Sequence, residues 1–228
     1  MKNVKISAHQ TKTISMRTTH QNISDRLLTE FDRMLKVLNH QAKITADAPD
    51  HGIPEPELSE KQVQHIGGLM RINHTGEVCA QALYNGQAMM ARDQDTRKHL
   101  LQAASEEQAH LNWCQARLDE LGEETSKTNA FWYLHSFAVG SLAALFGDPV
   151  SYGFVIETER QVESHLQDHM DDIGGEDPKS LSILKQMQAD EIKHGQAAHE
   201  AGGTELPMPV KKVMTAMSQL MKFVSYRI

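Results

Sequence analysis

Residues 106–110 read Glu106-Glu107-Gln108-Ala109-His110, and residues 190–194 read Asp190-Glu191-Ile192-Lys193-His194. Both are acid-Glu-x-x-His. On a helix, positions i and i+3 share a face about 5–6 Å apart, so each pair sets a carboxylate beside an imidazole where one metal ion fits. One such motif means little. With 13 histidines in 228 residues, about one arises by chance, and a lone instance is more often an ordinary surface pair. What decides the fold is where the two motifs fall.

The sequence around them is helical. Ser59 and Gln62 fit a capping box that opens a helix reaching about Ala91, loosened at Gly67-Gly68. A second helix spans about Thr96 to Leu121 and stops at Gly122, and an apolar one follows at 131–146. Asp148-Pro149 reads as an N-cap followed by proline and opens a helix that Gly174-Gly175 ends. Asp177-Pro178 repeats that signal, Gly202-Gly203 stops the next helix, and Pro209 opens the last. Near the N-terminus, Ser24 caps a helix from Asp25 to Leu38 with Leu27, Leu28, Phe31, Met34, Leu35 and Leu38 on one stripe. Pro49, Gly52, Pro54 and Pro56 then break the chain. No stretch alternates like a strand. The expected architecture is all-α: four long helices in two hairpins (59–121 and 149–201), an apolar crossover helix between them, and extra helices at both ends. Residues 1–24 read as a disordered arm, 25–58 as a helix and Pro-rich linker, and 59–228 as the main domain.

Each motif lies on the second helix of a hairpin, and each first helix carries a glutamate, Glu77 or Glu159. At 1.5 Å per residue, Glu77, Glu107, Glu159 and Glu191 all sit roughly 17–21 Å from their hairpin turns, so packing the hairpins together brings them to one level. Two lone glutamates and two Glu-x-x-His pairs from four helices are the ligand set of ferritin-like di-iron or di-manganese bundles. The candidate metal ligands are therefore Glu77, Glu107, His110, Glu159, Glu191 and His194. Four buried carboxylates are costly alone. Two divalent ions cancel them, and carboxylate with imidazole suits iron or manganese more than zinc or calcium. Glu163, one turn beyond Glu159, competes with it, whereas Glu157 points elsewhere. Glu106 and Asp190 read either as acceptors for ligand-histidine N–H groups or as plain surface charge. His74 reads as an ordinary helix histidine, and His165, His169 and His199 lack a partner at the required spacing.

The segment Arg71-Ile72-Asn73-His74-Thr75-Gly76-Glu77-Val78-Cys79-Ala80, continued by Tyr84-Asn85-Gly86-Gln87, resembles the first ligand helix of the demethoxyubiquinone hydroxylases. The segments around Glu107–His110, Glu159 and Glu191–His194 resemble that family's other ligand motifs in order and spacing. The ending Lys222 to Ile228 resembles its C-terminus. The resemblance covers roughly three quarters of the chain, and Val78-Cys79 departs from the tyrosine-glycine pair of many relatives. It implies a ferritin-like fold, two iron ions per chain held by the six residues above, and O2-dependent hydroxylation of a polyprenylated demethoxy benzoquinol late in ubiquinone biosynthesis. It also implies a ubiquinone-biosynthesis complex or lipid-delivery partner, and a peripheral place on the cytoplasmic side of the cell membrane.

Composition bounds the alternatives. A net charge of -7 argues against a nucleic-acid partner. Two cysteines 35 residues apart cannot build the four-cysteine iron site of a rubrerythrin-type peroxidase, and they fit a reducing compartment. As a helix, 131–146 reaches roughly 24 Å, short of the ~30 Å hydrocarbon core, so it lies on a membrane surface or packs on the protein. The last helix carries Val210, Val213, Met214, Met217, Leu220, Met221 and Val224 as a stripe, with Lys211, Lys212, Lys222 and Arg227 beside it, which suits an anionic membrane surface or a cap on the bundle. The competing function for the same ligand set is iron oxidation and storage, whose water-soluble cages have no use for an exposed apolar crossover.

Overall fold

The computed structural model describes residues 23–39 and 48–228, and among these it contains seven helices and no strand. The N-terminal arm lies almost wholly outside them. The capping box forms as the sequence requires: the Ser59 hydroxyl accepts from the Gln62 amide, and the Gln62 side chain accepts from the Ser59 amide. Helix α2 then runs from Glu60 to Met90 without a break. Gly67 and Gly68 do not loosen it. They admit close neighbours instead, since a Cβ at either position would lie 2.5 Å from Glu123 or Tyr226.

Helix α3 (Gln94–Leu121) starts on an Asp93 cap, and α4 (Asn129–Leu145) lies along α2. Gly86 and Gly140 set that crossing, because a Cβ on either would strike the other helix's backbone at 2.1–2.2 Å. Helix α5 spans Asp148–Ile173. Its cap is Gly147, at φ 104°, and not the expected Asp148, which is the first helical residue with Pro149 second. Helix α6 (Pro178–Glu200) begins as expected, with the Asp177 carboxylate accepting from the Lys179 and Ser180 amides. Helix α7 spans Met208–Ser225.

The hairpins α2–α3 and α5–α6 form the four-helix bundle. One apolar cluster joins Ile66, Met70, Leu118, Leu166, Ile183 and Leu184. The other joins Leu83, Tyr84, Leu100, Tyr152, Val155 and Ala198. The α2–α3 turn lies at the second cluster and the α5–α6 turn at the first, so the hairpins point opposite ways. The four glutamates reach one level because each sits near mid-helix. Helix α4 runs parallel to α2 along its second half, from Asn129 beside Thr75 to Leu145 beside Arg92, and leads into α5.

Three outer helices differ from a simple apolar-in reading. Helix α1 (Ile23–Leu38) buries Glu30 and Val37 and packs Met34 and Leu38 on Val78, Leu111 and Tyr133. Leu28, Phe31 and Leu35 of the expected stripe face outward, and the helix begins before the expected Ser24 cap. The α7 stripe is split: Met214, Met217 and Met221 line a cavity, while Val213, Leu220 and Phe223 are exposed. Helix α4 buries Trp132, Tyr133, Ala143 and Ala144 and exposes Phe131, Leu134, Leu142, Leu145 and Phe146. No helix among the described residues is long and apolar enough to cross a membrane.

Candidate metal centre

Between the two apolar clusters, the six residues named from the sequence converge. Glu77, Glu107, His110 and Glu191 offer ligand atoms that all lie within 4.8 Å of one another, and so do Glu107, Glu159, Glu191 and His194. Glu107 and Glu191 belong to both sets. Each Glu-x-x-His helix therefore supplies one carboxylate common to both sets and one histidine that belongs to a single set. Glu163 stands outside both sets, whereas Glu159 belongs to one of them. Glu157 turns away to accept from Arg160 and Gln161.

Buried polar atoms without hydrogen-bond partners test whether a metal fits. They include both carboxylate oxygens of Glu107, one oxygen each of Glu159 and Glu191, and Nδ1 of both His110 and His194. His110 Nδ1 is 3.0 Å from Glu107 and 3.3 Å from Glu191, and His194 Nδ1 is 3.1 Å from Glu107, but no hydrogen bond aligns. Buried lone pairs that converge in this way fit a donor set for metal cations.

The far nitrogens are held across the bundle. His110 Nε2 lies 3.5 Å from Asp190, and His194 Nε2 lies 3.0 Å from Glu106. Each motif's leading acid thus supports the other motif's histidine, which orients the rings with Nδ1 inward. Buried Tyr84 donates its hydroxyl to Glu159 Oε1 and leaves Oε2 toward the cluster. Burial, followed by repulsion from neighbouring carboxylates, pushes the Glu159 carboxyl far up. Burial does the same to Glu77 against the pull of His110. Glu191 goes the other way: burial opposes its charge, yet the close imidazoles of His110 and His194 and the neighbouring Glu159 carboxyl hold it low. His194 is raised to about 11 by Glu107 and Glu191, against its own burial. The site thus gathers positive charge around anions in a medium of low polarity, the condition under which divalent cations displace protons.

The two sides of this layer differ. On the histidine side, a groove of about 720 Å³ opens between α3 and α6 and reaches His110, His194, Glu106, Asp190 and Trp113. On the side of Glu77 and Glu159, an apolar cavity of about 150 Å³ lies among α2, α4, α5 and α7. Gly76 and Ala80 flank Glu77 in its wall, and Thr158 and Val162 flank Glu159.

His165 lines that cavity, with Nδ1 buried and unpaired. Burial and neighbouring His169 lower its pKa to about 3, so the ring is neutral. His169, lowered to about 4 by burial, pairs with Asn73 Oδ1 at 2.9 Å. His74 is buried 3.4 Å from Asn129, and His199 is exposed. Sequence reasoning missed Tyr84, two turns beyond Glu77 on the same face, and Arg117, two turns beyond His110. Fully buried Arg117 binds Asp177 at 3.0 Å and the Glu55 carboxylate at 2.9 Å, which fastens the linker 48–58 to the bundle end.

The profile of Ubiquinone biosynthesis protein COQ7 matches residues 64–225. A 3-demethoxyubiquinol 3-hydroxylase from Polynucleobacter asymbioticus is 49% identical over 91% of this chain and 100% of its own length. Proteins of the same name from Ralstonia pickettii (46% identical, 90% of this chain, 99% of theirs) and Acinetobacter baumannii (47%, 91%, 98%) are similar as well.

Proposed function

The chain belongs to the family of Ubiquinone biosynthesis protein COQ7, and from that premise we propose that it is a 3-demethoxyubiquinol 3-hydroxylase that uses two iron ions and O2. The observation that carries the proposal is the pair of overlapping four-residue sets sharing Glu107 and Glu191. Glu77 and His110 would complete one iron position, and Glu159 and His194 the other. Such a pair supplies the electrons and open coordination positions that O2 needs. One oxygen atom enters the ring as hydroxyl and the other leaves as water, with two electrons and two protons consumed.

The chain's own residues do the rest. Glu106 and Asp190 hold the histidine rings, and Tyr84 holds Glu159 with one oxygen free. The cavity beside Glu77 and Glu159 has the volume of a site that admits benzene, which suits a quinol ring. Its walls of Leu83, Val139, Phe154 and Val162 exclude water, and neutral His165 offers a hydrogen bond to a ring oxygen. Met214, Met217 and Met221 form a wall that adapts to a flexible prenyl tail.

Helices α4 and α7 flank this cavity, and both turn apolar side chains outward. They suit peripheral attachment to the cell membrane in which such a quinol dissolves. In cells lacking the protein, the intermediate missing one methoxy group should accumulate, and the Glu159→Ala chain should fail to restore ubiquinone although folded. A normal ubiquinone pool with a defect in iron storage would support the ferritin-type reading instead.

A further inference from the structure

The end of α7 returns against the start of α2 and encloses a second recess, of about 470 Å³, lined by Lys61, His65, Arg71, Glu123, Tyr226 and Arg227 among others. Three of its side chains are cationic and one is acidic, a local balance of +2 in a chain whose net charge is -7. The one acid is already engaged. Arg71 bonds the Glu123 carboxylate and donates to the carbonyls of Glu124 and Tyr226, at 2.6 and 3.0 Å. This fixes the floor of the recess and neutralises Glu123.

Lys61 and Arg227 form no ion pair among the described residues. Arg227 is nonetheless placed: it donates to the Phe223 carbonyl at 2.7 Å, and its guanidinium stacks 3.8 Å over the Phe223 ring. His65 is held by the Tyr226 hydroxyl at 2.8 Å and by Asp172 at 3.1 Å. Arg227, held in place, and exposed Lys61 flank a recess whose one lining acid, Glu123, is paired with Arg71, and that arrangement favours an oxyanion. The rim adds a second observation. Phe223 and Ile228 are 60% and 53% exposed beside it, so the recess opens next to apolar surface. Positive charge at the edge of an apolar helix face is the pattern that meets phosphate at a lipid surface.

We propose that this recess is a phosphate-binding site, with Lys61 and Arg227 as the charge partners and Arg71 as their fixed support. The same chemistry is offered by an anionic phospholipid headgroup and by free phosphate. The headgroup source rests on the membrane reading of α4 and α7; the anion site does not.

Co-sedimentation of the full chain with vesicles separates the sources. Vesicles of phosphatidylcholine alone read the apolar faces, and vesicles with added phosphatidylglycerol read the recess. The anionic lipid should strengthen binding, and Lys61→Gln with Arg227→Gln should weaken that increment by about thirtyfold while leaving attachment to neutral vesicles unchanged. Lys127→Gln with Lys212→Gln, which removes the same two charges from exposed positions outside the recess, should weaken it by no more than about fivefold. Equal losses from the two double variants would mean diffuse attraction and would overturn the site. Inorganic phosphate, read by thermal shift, tests the other source: stabilisation that disappears in the double variant, with no vesicle binding by any chain, would support the anion site while contradicting the membrane reading. The absence of both a lipid increment and a phosphate shift that depend on Lys61 and Arg227 would overturn the proposal.

Discussion

The two hairpins carry the same ligand pattern and surround it differently. In α2–α3, His110 is almost fully buried, its ring centroid 5.2 Å from that of Trp113. Two turns on, the buried charge of Arg117 ties the helix to the start of α6 and to the linker. In α5–α6, His194 is more open toward the α3–α6 groove, and α5 carries two buried neutral histidines beyond Glu159. The same motif therefore has unlike surroundings in the two hairpins: a buried cation on α3 that ion-pairs across to Asp177, and two desolvated neutral rings on α5, one of which bonds across to Asn73 of α2. A ligand motif fixes which atoms meet; the surrounding half decides how firmly, and under which conditions, they stay.

The largest effect should fall on what the halves share. Glu191→Ala or Glu107→Ala should abolish binding of both metal ions and lower activity by at least about a thousandfold. Glu77→Ala and Glu159→Ala should each spare one position. Metal analysis after anaerobic loading reads this directly, and two ions retained in Glu191→Ala would break the idea of a shared bridge.

Arg117→Ala removes the cation from a fully buried pair and leaves the Asp177 carboxylate buried with hydrogen bonds but no counter-charge. It should cost about 3–5 kcal/mol of stability, measured by denaturant unfolding. A cost near that of a surface substitution would mean that the two halves are not held differently at all.

A sharper test follows from the crossed support. Asp190→Asn, on α6, should weaken the metal position built on the α3 histidine by about 10–100-fold, and Glu106→Gln should do the same to the His194 position. Chelator-release kinetics separate the two positions. If each variant loosens the position of its own helix, the crossing has no functional weight.

The smallest effect concerns pH. His169 and His165 have folded-state values of about 4 and about 3, below the unfolded ~6.5, so the unfolded chain binds more protons between those limits. Their contribution is complete above about pH 6.5 and falls as pH drops toward about 4 and 3, by about 2 kcal/mol for each ring at pH 5. Melting curves between pH 7.5 and 5 should be steeper for the natural chain than for a His165→Gln, His169→Gln double variant. Parallel curves would contradict the assignment of neutral rings.

Much of this was legible from the residues. Capping signals at Ser59 and Asp177 act through local geometry, and i,i+3 spacing fixes a shared face, so the helices and the meeting of six side chains follow from sequence alone. What was hidden depends on contacts between distant helices. Nothing local in Glu106 or Asp190 says which histidine it faces, because the partner lies 80 or more residues away. Leu28 and Phe31 turn outward because Met34, Val37 and Leu38 make the contact of α1 with Val78, Leu111 and Tyr133. Gly147 caps α5 because it alone at that junction accepts φ 104°. Tyr84 and Arg117 could have been found: each lies seven residues past a ligand, on the inward face, where a polar side chain needs a buried partner.

The central claim is that two unlike hairpins build one iron pair that hydroxylates a quinol ring. The direct measurement is a single turnover of anaerobically prepared diferrous protein, mixed with the demethoxy quinol and 18O2 and analysed by mass spectrometry. The account expects one 18O atom on the ring per iron pair and no product from Glu191→Ala. Ferrous iron oxidised at full rate with no labelled quinol formed would contradict it.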